Sequence, residues 1–401
     1  MCSEARRTPS LRGRKCAALF MLCAFAPLRE NPCMKLGLGL YGNMLTADNF
    51  RFAKQAGATH IVAHIVGHFK KPESAAITTE GSNAHGFGIS DPIDTAWSLD
   101  WLRDLKASVE KEGLVLEAIE NFEPAHWHDV LLDGPKRDEQ MARLKQLIRD
   151  MGRAGILIMG YNFSLAGVWG RDHGEFARGN AVSVGFHDPE QIPIPHGMVW
   201  NMVYDTALFD PEGRRGTIAP ITHEQFWERY ARFVHEMLPV AEEAGVKLVM
   251  HPDDPPLPTL RGTPRLVYRW DLYQKLLDLS PSPSHGMEFC MGTLAEMSEA
   301  MGAREGFADY YDMIDRYSGT GRIGYIHFRN VKGQVPFYEE VFVDEGDVDM
   351  VKALRVLHKN KFDGVLIPDH TPQMNCAAPW HAGMAFALGY MKAAIKIITG
   401  K

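Results

Sequence analysis

The chain has 401 residues, 45% of them apolar and 23% charged, with a formal net charge of −7. These are the proportions of a soluble globular protein, and the length suits one large α/β domain or two ordinary ones. The negative balance gives no reason to expect a nucleic-acid partner, which usually requires a basic face; it does not exclude an anionic substrate held by a local metal or arginine.

Residues 1–33 stand apart. Arg6, Arg7, Arg12, Arg14 and Lys15 precede the apolar run from Cys16 to Ala26, the outline of a secretory signal whose core is too short to span a bilayer. The simpler reading is an extension created by an early start codon, because Met34 opens directly onto Lys35-Leu36-Gly37-Leu38-Gly39-Leu40. Either way residues 1–33 are set aside, and 34–401 are expected to form the catalytic domain. Cys2, Cys16, Cys23 and Cys33 fall in the excluded part, leaving Cys290 and Cys376. No disulfide framework is suggested, so a reducing, cytoplasmic setting is expected unless the first segment directs export.

From Met34 onward short apolar runs alternate with amphipathic ones. Strands are expected at Lys35–Leu40, His60–His64, Val115–Ile119, Ile156–Met159, Lys247–His251, Met287–Phe289, Ile323–His327 and Gly364–Pro368. The segments between them read mostly as helices, for example Ala47–Ala56, Leu99–Lys111, Arg137–Arg153, His223–Ala244, Met350–Lys359 and Met384–Ile398. Gly57, Gly113, Gly155 and Gly245 each stand between a helix and the next strand, where a left-handed residue closes a helix. Repeated strand-helix units predict an α/β fold, a (β/α)₈ TIM barrel, over an irregular α/β sheet. The first strand is followed by no glycine-rich dinucleotide fingerprint, which counts against a Rossmann sheet.

Two connections exceed the usual two to six residues or so. The segment from Val66 to Ser98 carries His68 and His85. The segment from Tyr161 to Ile221 carries Trp169, Arg171, His173, His187, His196, Trp200 and Tyr204. Both leave strands 2 and 4 at the end where barrel enzymes build loops over a substrate. The second reads as a lid or subunit contact, its aromatics serving mainly as packing.

The late strands end on similar chemistry. Strand five stops at His251-Pro252-Asp253-Asp254-Pro255-Pro256, because the prolines cannot continue a ladder. Strand six runs into Cys290, strand seven ends at His327, and strand eight leads to Asp369-His370. Two imidazoles, a thiol and a carboxylate at one barrel mouth suit a borderline divalent ion. Singly, a strand-end histidine is more often structural and a lone cysteine a small buried hydrophobe. Asp253 and Asp254 can orient ligands or accept substrate hydroxyls, or can simply stabilise the turn. Arg329 can grip a substrate carboxylate, or form a salt bridge. His370 is the candidate acid or base. Glu120, Glu123, His126 and His128 can reach the mouth after strand three, and Tyr161 and Asn162 can line the pocket after strand four. Cys376 receives no role.

The segments His251–Pro256, Cys290 with Gly292-Thr293-Leu294, His327-Phe328-Arg329-Asn330-Val331 and Pro368-Asp369-His370 resemble the mannonate dehydratase family of xylose-isomerase-like barrels. Tyr161-Asn162-Phe163, Trp169 and Arg171 resemble that family's central segment. The resemblance implies a hydro-lyase that converts D-mannonate to 2-dehydro-3-deoxy-D-gluconate with a Mn2+ or Fe2+ ion. By matching motif, His251, Cys290, His327 and Asp369 are the implied metal ligands and His370 the acid/base residue. The chain departs from the family at Thr371, where glycine is usual, and at Pro379-Trp380-His381, where a Pro-Gly-Tyr element supplies a tyrosine. His381 is therefore the candidate replacement. A sugar or sugar-acid isomerase or epimerase is the second reading, and a non-catalytic sugar-acid binding protein the third. A small sugar acid is the expected partner, with a homo-oligomer, and without nucleic acid or membrane.

Overall fold

Each of the eight apolar runs becomes a strand of one closed parallel barrel in the computed structural model, which describes residues 34–67, 88–90 and 97–400. The strands are β1 (Lys35–Tyr41), β2 (His60–His64), β3 (Val115–Glu120), β4 (Ile158–Tyr161), β5 (Lys247–Met250), β6 (His285–Cys290), β7 (Ile323–His327) and β8 (Val365–Ile367). They neighbour one another in chain order, and Lys35↔Val365 and Leu36↔Leu366 close the ring between β1 and β8. Segment 1–33 and the histidines His68 and His85 lie outside the described residues.

Strand alternation divides the core in two. Val62, Ala118, Val249, Tyr325, Val365 and Ile367 fill the barrel interior. The opposite faces of the strands, such as Leu36, Leu38 and Leu40 of β1, join the larger core beneath the helices. The outer helices are α1 (Ala47–Ala56), α2 (Leu99–Lys111), α3 (Pro124–Leu132), α4 (Arg137–Ala154), α5 (His223–Ala244), α6 (Leu272–Leu277), α7 (Met291–Glu296), α8 (Tyr310–Ser318), α9 (Met350–Lys359) and α10 (Pro379–Thr399). Thr46, Ser98, Thr222, Asp309 and Asp349 cap N-termini by accepting backbone N–H bonds. Gly57, Gly155 and Gly245 close α1, α4 and α5 in the left-handed conformation, as the spacing predicts, and Gly113 after α2 shares that conformation. By length and composition α10 could cross a membrane, but here it lays Met384, Leu388 and Met391 into the core.

Three differences from the sequence reading have local causes. Strand β4 begins two residues late because Ile156 is buried in the turn that closes α4, its N–H donating to Met151 O at 2.9 Å. Helix α10 starts at Pro379, where proline suits a first turn. The long connection after β4 also contains regular structure: antiparallel strands Arg171–Ala177 and Ala181–His187 join Phe337–Val341 and Asn330–Gln334, from the connection after β7. The two strands of that connection are seven residues long but interrupted by Gly174 and Gly185, the first being mostly polar, so they lack the apolar run that marks the barrel strands.

Candidate metal centre and active site

The barrel register brings the donors level. Cys290 pairs with His327, and His327 with Ile367, so β6, β7 and β8 deliver their end groups to one plane of the mouth. Chain direction changes at each. His251 anchors its N–H on Tyr161 O at 2.8 Å, and its Nδ1 donates to Pro252 O at 2.6 Å, leaving Nε2 free of a backbone bond. Cys290 is the N-cap of α7 and accepts from Thr293 N at 3.5 Å and Thr293 Oγ1 at 3.1 Å. Asp369 adopts φ 62°, which turns its carboxylate back so that Oδ2 lies 3.3 Å from His327 Nδ1.

Ligand atoms of His251, Cys290 and His327 lie within 4.8 Å of one another. Burial disfavours a thiolate, yet Arg329, His251 and His327 outweigh it and pull the Cys290 thiol well below its ordinary value. Burial likewise disfavours charge on His251, but Glu288 and Cys290 raise it to about 10. His327 is raised well above its usual value, against burial, by Asp369, Glu288 and Glu120. Asp369 is held low, against burial, by His327 and His370. The anionic donors thus draw positive charge onto the imidazoles, a role a divalent cation fills directly. His327 Nδ1 is buried without a hydrogen bond. One thiolate and two imidazoles at these separations, with the Asp369 carboxylate beside His327, fit a borderline divalent ion.

Above the donors lies a cavity of about 380 Å³, lined by His251, His327, Asp369, His370, Asp254 and Arg171, with Asn162, Trp169, Trp200 and Trp380 around it. His370 is partly exposed to it. Burial lowers the His370 imidazole, but Asp369 and Glu340 raise it to about 9.

The remaining expected residues divide. Asn162 and Asp254 line the cavity; Asn162 Nδ2 donates to Pro252 O at 3.3 Å. Asp254 accepts from Arg171, from Arg329 at 2.7 Å, from Thr293 Oγ1 at 3.1 Å and from Tyr338 at 3.0 Å. Arg329 does not reach the cavity. It is 2% exposed and enclosed by Glu296, Asp254 and Asp369, so the salt-bridge alternative holds. Asp253 is also buried away from the cavity, paired with Arg265 at 2.8 Å and accepting from the N–H groups of Leu266 and Val267. Tyr161 points outward, since even-period alternation places its ring under α5, where its hydroxyl meets that of Tyr230 at 3.1 Å. His381 does not enter the mouth either. From the first turn of α10 it faces α1, with Nε2 3.0 Å from Asn49 Oδ1 and its ring on Phe52; Trp380 is the neighbour that reaches the cavity.

Of the groups after β3, Glu120 lines the cavity, whereas Glu123 bonds Ser90 and Gly67 N, His126 packs on Trp97, and His128 stacks on Tyr204. In the second long connection Trp169, Arg171, His173 and Trp200 line the cavity; His187 pairs with Asp172 and His196 with Arg215 O.

Three polar groups near the mouth escaped the sequence reading: Glu288, Tyr325 and Glu340. Glu288 of β6 and Glu120 each accept or share a hydrogen with the Tyr325 hydroxyl at 2.8 Å, and Gly160 of β4 leaves the space, since a Cβ there would collide with that hydroxyl. Glu340, on Phe337–Val341, lies against His370. A glutamate inside the apolar run Met287-Glu288-Phe289 was the available signal for the first.

A family model described as D-mannonate dehydratase (UxuA) matches residues 34–391. Mannonate dehydratase 2 of Halalkalibacterium halodurans is 33% identical over 287 residues, covering 69% of this chain and 80% of the relative. The mannonate dehydratase of Thermotoga petrophila is 29% identical over 304 residues, covering 70% and 79%. The crystal structure of mannonate dehydratase from Streptococcus suis serotype 2 superposes with a TM-score of 0.69 at 24% identity, covering 92% of this chain and 94% of that one. A xylose isomerase domain protein from Planctomyces limnophilus shares the fold at a TM-score of 0.53 and 11% identity, covering 92% and 100%.

Proposed function

The chain belongs to the D-mannonate dehydratase family, and from that premise we propose that it removes water from D-mannonate to give 2-dehydro-3-deoxy-D-gluconate. The observation that carries the reading is the cluster of His251, Cys290 and His327, with Asp369 Oδ2 3.3 Å from His327 Nδ1, beside a cavity that His251, His327, Asp369 and His370 line. Its volume of about 380 Å³ suits a six-carbon acid.

The proton on C2 of a sugar acid is only weakly acidic, because removing it places a second negative charge beside the carboxylate. A divalent ion held by His251, Cys290, His327 and Asp369 supplies, when bound, the positive charge that stabilises this development. The family resemblance points to manganese or iron as that ion, and the thiolate, imidazole and carboxylate set suits a borderline divalent ion in general. His370 takes the C2 proton, and the C–H electron pair moves toward C1. That pair then forms the C2–C3 double bond as the C3–oxygen bond breaks. Protonated His370 returns its proton to the departing hydroxyl, which leaves as water, and the enol tautomerises to the 2-keto product. Arg171, rather than Arg329, lines the cavity, where its charge favours the substrate's anionic end while its guanidinium pairs with Asp254 and Glu340; Asn162 offers a polar contact to the hydroxyls. The described cysteines, Cys290 and Cys376, are both free, which supports a reducing cytoplasmic setting.

Incubating protein loaded with manganese, iron or cobalt with D-mannonate tests the reading. A 2-keto-3-deoxy acid is the expected product, and its absence with all three metals overturns the assignment. An isomerase or epimerase gives a product of unchanged mass, whereas the dehydratase product is lighter by one water.

A further inference from the structure

The hairpin after β7 brings a carboxylate to the proposed base. Val331 pairs with Glu340 across its two strands, and Glu340 is 3% exposed. Both Glu340 oxygens face one imidazole nitrogen, with Oε2 at 3.0 Å and Oε1 at 3.2 Å from His370 Nδ1. A buried carboxylate is retained in ionised form only when it is paired. Arg329 Nη1 at 3.2 Å and Arg171 Nη1 at 3.4 Å supply that pairing.

An ionised carboxylate can only accept hydrogen bonds, so the hydrogen facing it must sit on Nδ1. Arg171 Nη1 also stands 3.4 Å from Nδ1; with Nδ1 carrying hydrogen, that contact is packing, and the guanidinium serves Asp254 and Glu340. Nε2 is then the ring nitrogen left to exchange a proton with the substrate. His370 Nε2 stands 3.6 Å from Asp369 Oδ1, beyond hydrogen-bond reach and at the edge of the donor set. His370 lines the cavity beside that donor set.

We propose that Glu340 is a positioning residue for His370, holding the ring through Nδ1 and so orienting Nε2 for proton exchange with the substrate. The inference rests on the dehydratase reading and adds a component to it. It gives the inserted four-stranded sheet a part in catalysis, because the strand that carries Glu340 is held against Ala181–His187 by Tyr338↔Phe186 and Glu339↔Gly185. A bland alternative makes Glu340 only a counter-charge for Arg171 and Arg329. The two differ in whether its effect passes through His370.

A double-mutant cycle separates them, measured as kcat on D-mannonate with metal content determined for each variant. Glu340→Gln should lower kcat about 30- to 100-fold in the otherwise native enzyme, with metal content unchanged and KM within about threefold. In the His370→Ala background the same substitution should change kcat by less than about threefold, since the group it positions is gone. Glu340→Asp, which keeps a carboxylate on a shorter stem, should recover part of the loss. Equal losses in both backgrounds, a kcat unaffected by Glu340→Gln, or a loss that tracks missing metal overturns the proposal. A native enzyme inactive on D-mannonate instead overturns the dehydratase reading itself.

Discussion

Glu288 Oε1 stands 2.8 Å from His327 Nε2, which leaves the opposite ring nitrogen, Nδ1, facing Asp369 at 3.3 Å. Glu120 Oε2 approaches the same Nε2 at 3.2 Å, and the Tyr325 hydroxyl ties the two glutamates together. A carboxylate behind a ligating imidazole fixes its ring orientation and raises its basicity. Glu288→Gln should therefore weaken manganese binding about 10- to 100-fold, read by competition with a chelator of known affinity. An unchanged dissociation constant would separate Glu288 from the metal centre.

Metal binding and proton transfer should fail independently. His251→Ala removes a donor, so the purified protein should carry well under one metal per chain, with activity partly restored by excess manganese. His370→Ala removes the base from the cavity but no donor. It should retain nearly full metal while kcat falls by at least about a hundredfold. Elemental analysis of both variants alongside their kcat checks the pair; full activity in His370→Ala would remove that residue from the mechanism.

The parts of this site that follow strand endings were legible in the sequence, because prolines after His251 and the histidine at the end of β7 mark where the chain leaves the barrel. The barrel itself was legible for the same reason: apolar runs and closing glycines recur once per unit. What was not legible depends on side-chain direction and on pairing between distant segments. Arg329 was conspicuous in its motif, yet Glu296, 33 residues before it, and Asp254, 75 residues before it, enclose it. Tyr161 and Asn162 are adjacent, so strand alternation sends one to the helix layer and the other to the cavity. Glu340 is brought to His370 by a hairpin whose partner strand lies about 150 residues away along the chain, a separation over which pattern reading carries no information.

The burial of Asp253 against Arg265 predicts a role in stability. Asp253 is fully buried with Arg265, and its Oδ2 accepts from Leu266 N at 2.7 Å and Val267 N at 2.8 Å. Removing one partner of a buried pair leaves the other uncompensated, at a cost of about 3–5 kcal/mol. Asp253→Ala should unfold at a clearly lower denaturant midpoint, while the fraction that remains folded keeps its KM. A variant with native stability and altered KM would return Asp253 to the list of substrate contacts.

The opposite end of the barrel sets a pH dependence. His60 opens β2, with Nδ1 2.7 Å from Thr59 Oγ1, and burial together with the Lys35 charge lowers it from the ordinary 6.5 to about 4. Glu117 lies 3.7 Å from Nε2, but burial raises that carboxyl, so it opposes the shift only weakly. The folded state therefore holds a neutral imidazole where the unfolded chain would bind a proton. By linkage the contribution to stability is complete above pH 6.5, declines as pH falls from there toward 4, and changes no further below it. His60→Gln cannot take up that proton. Thermal midpoints of the two proteins, measured from pH 7.5 down to about 4.5, should show a shallower acid-side decline for the variant. Parallel curves would show that His60 titrates alike in both states.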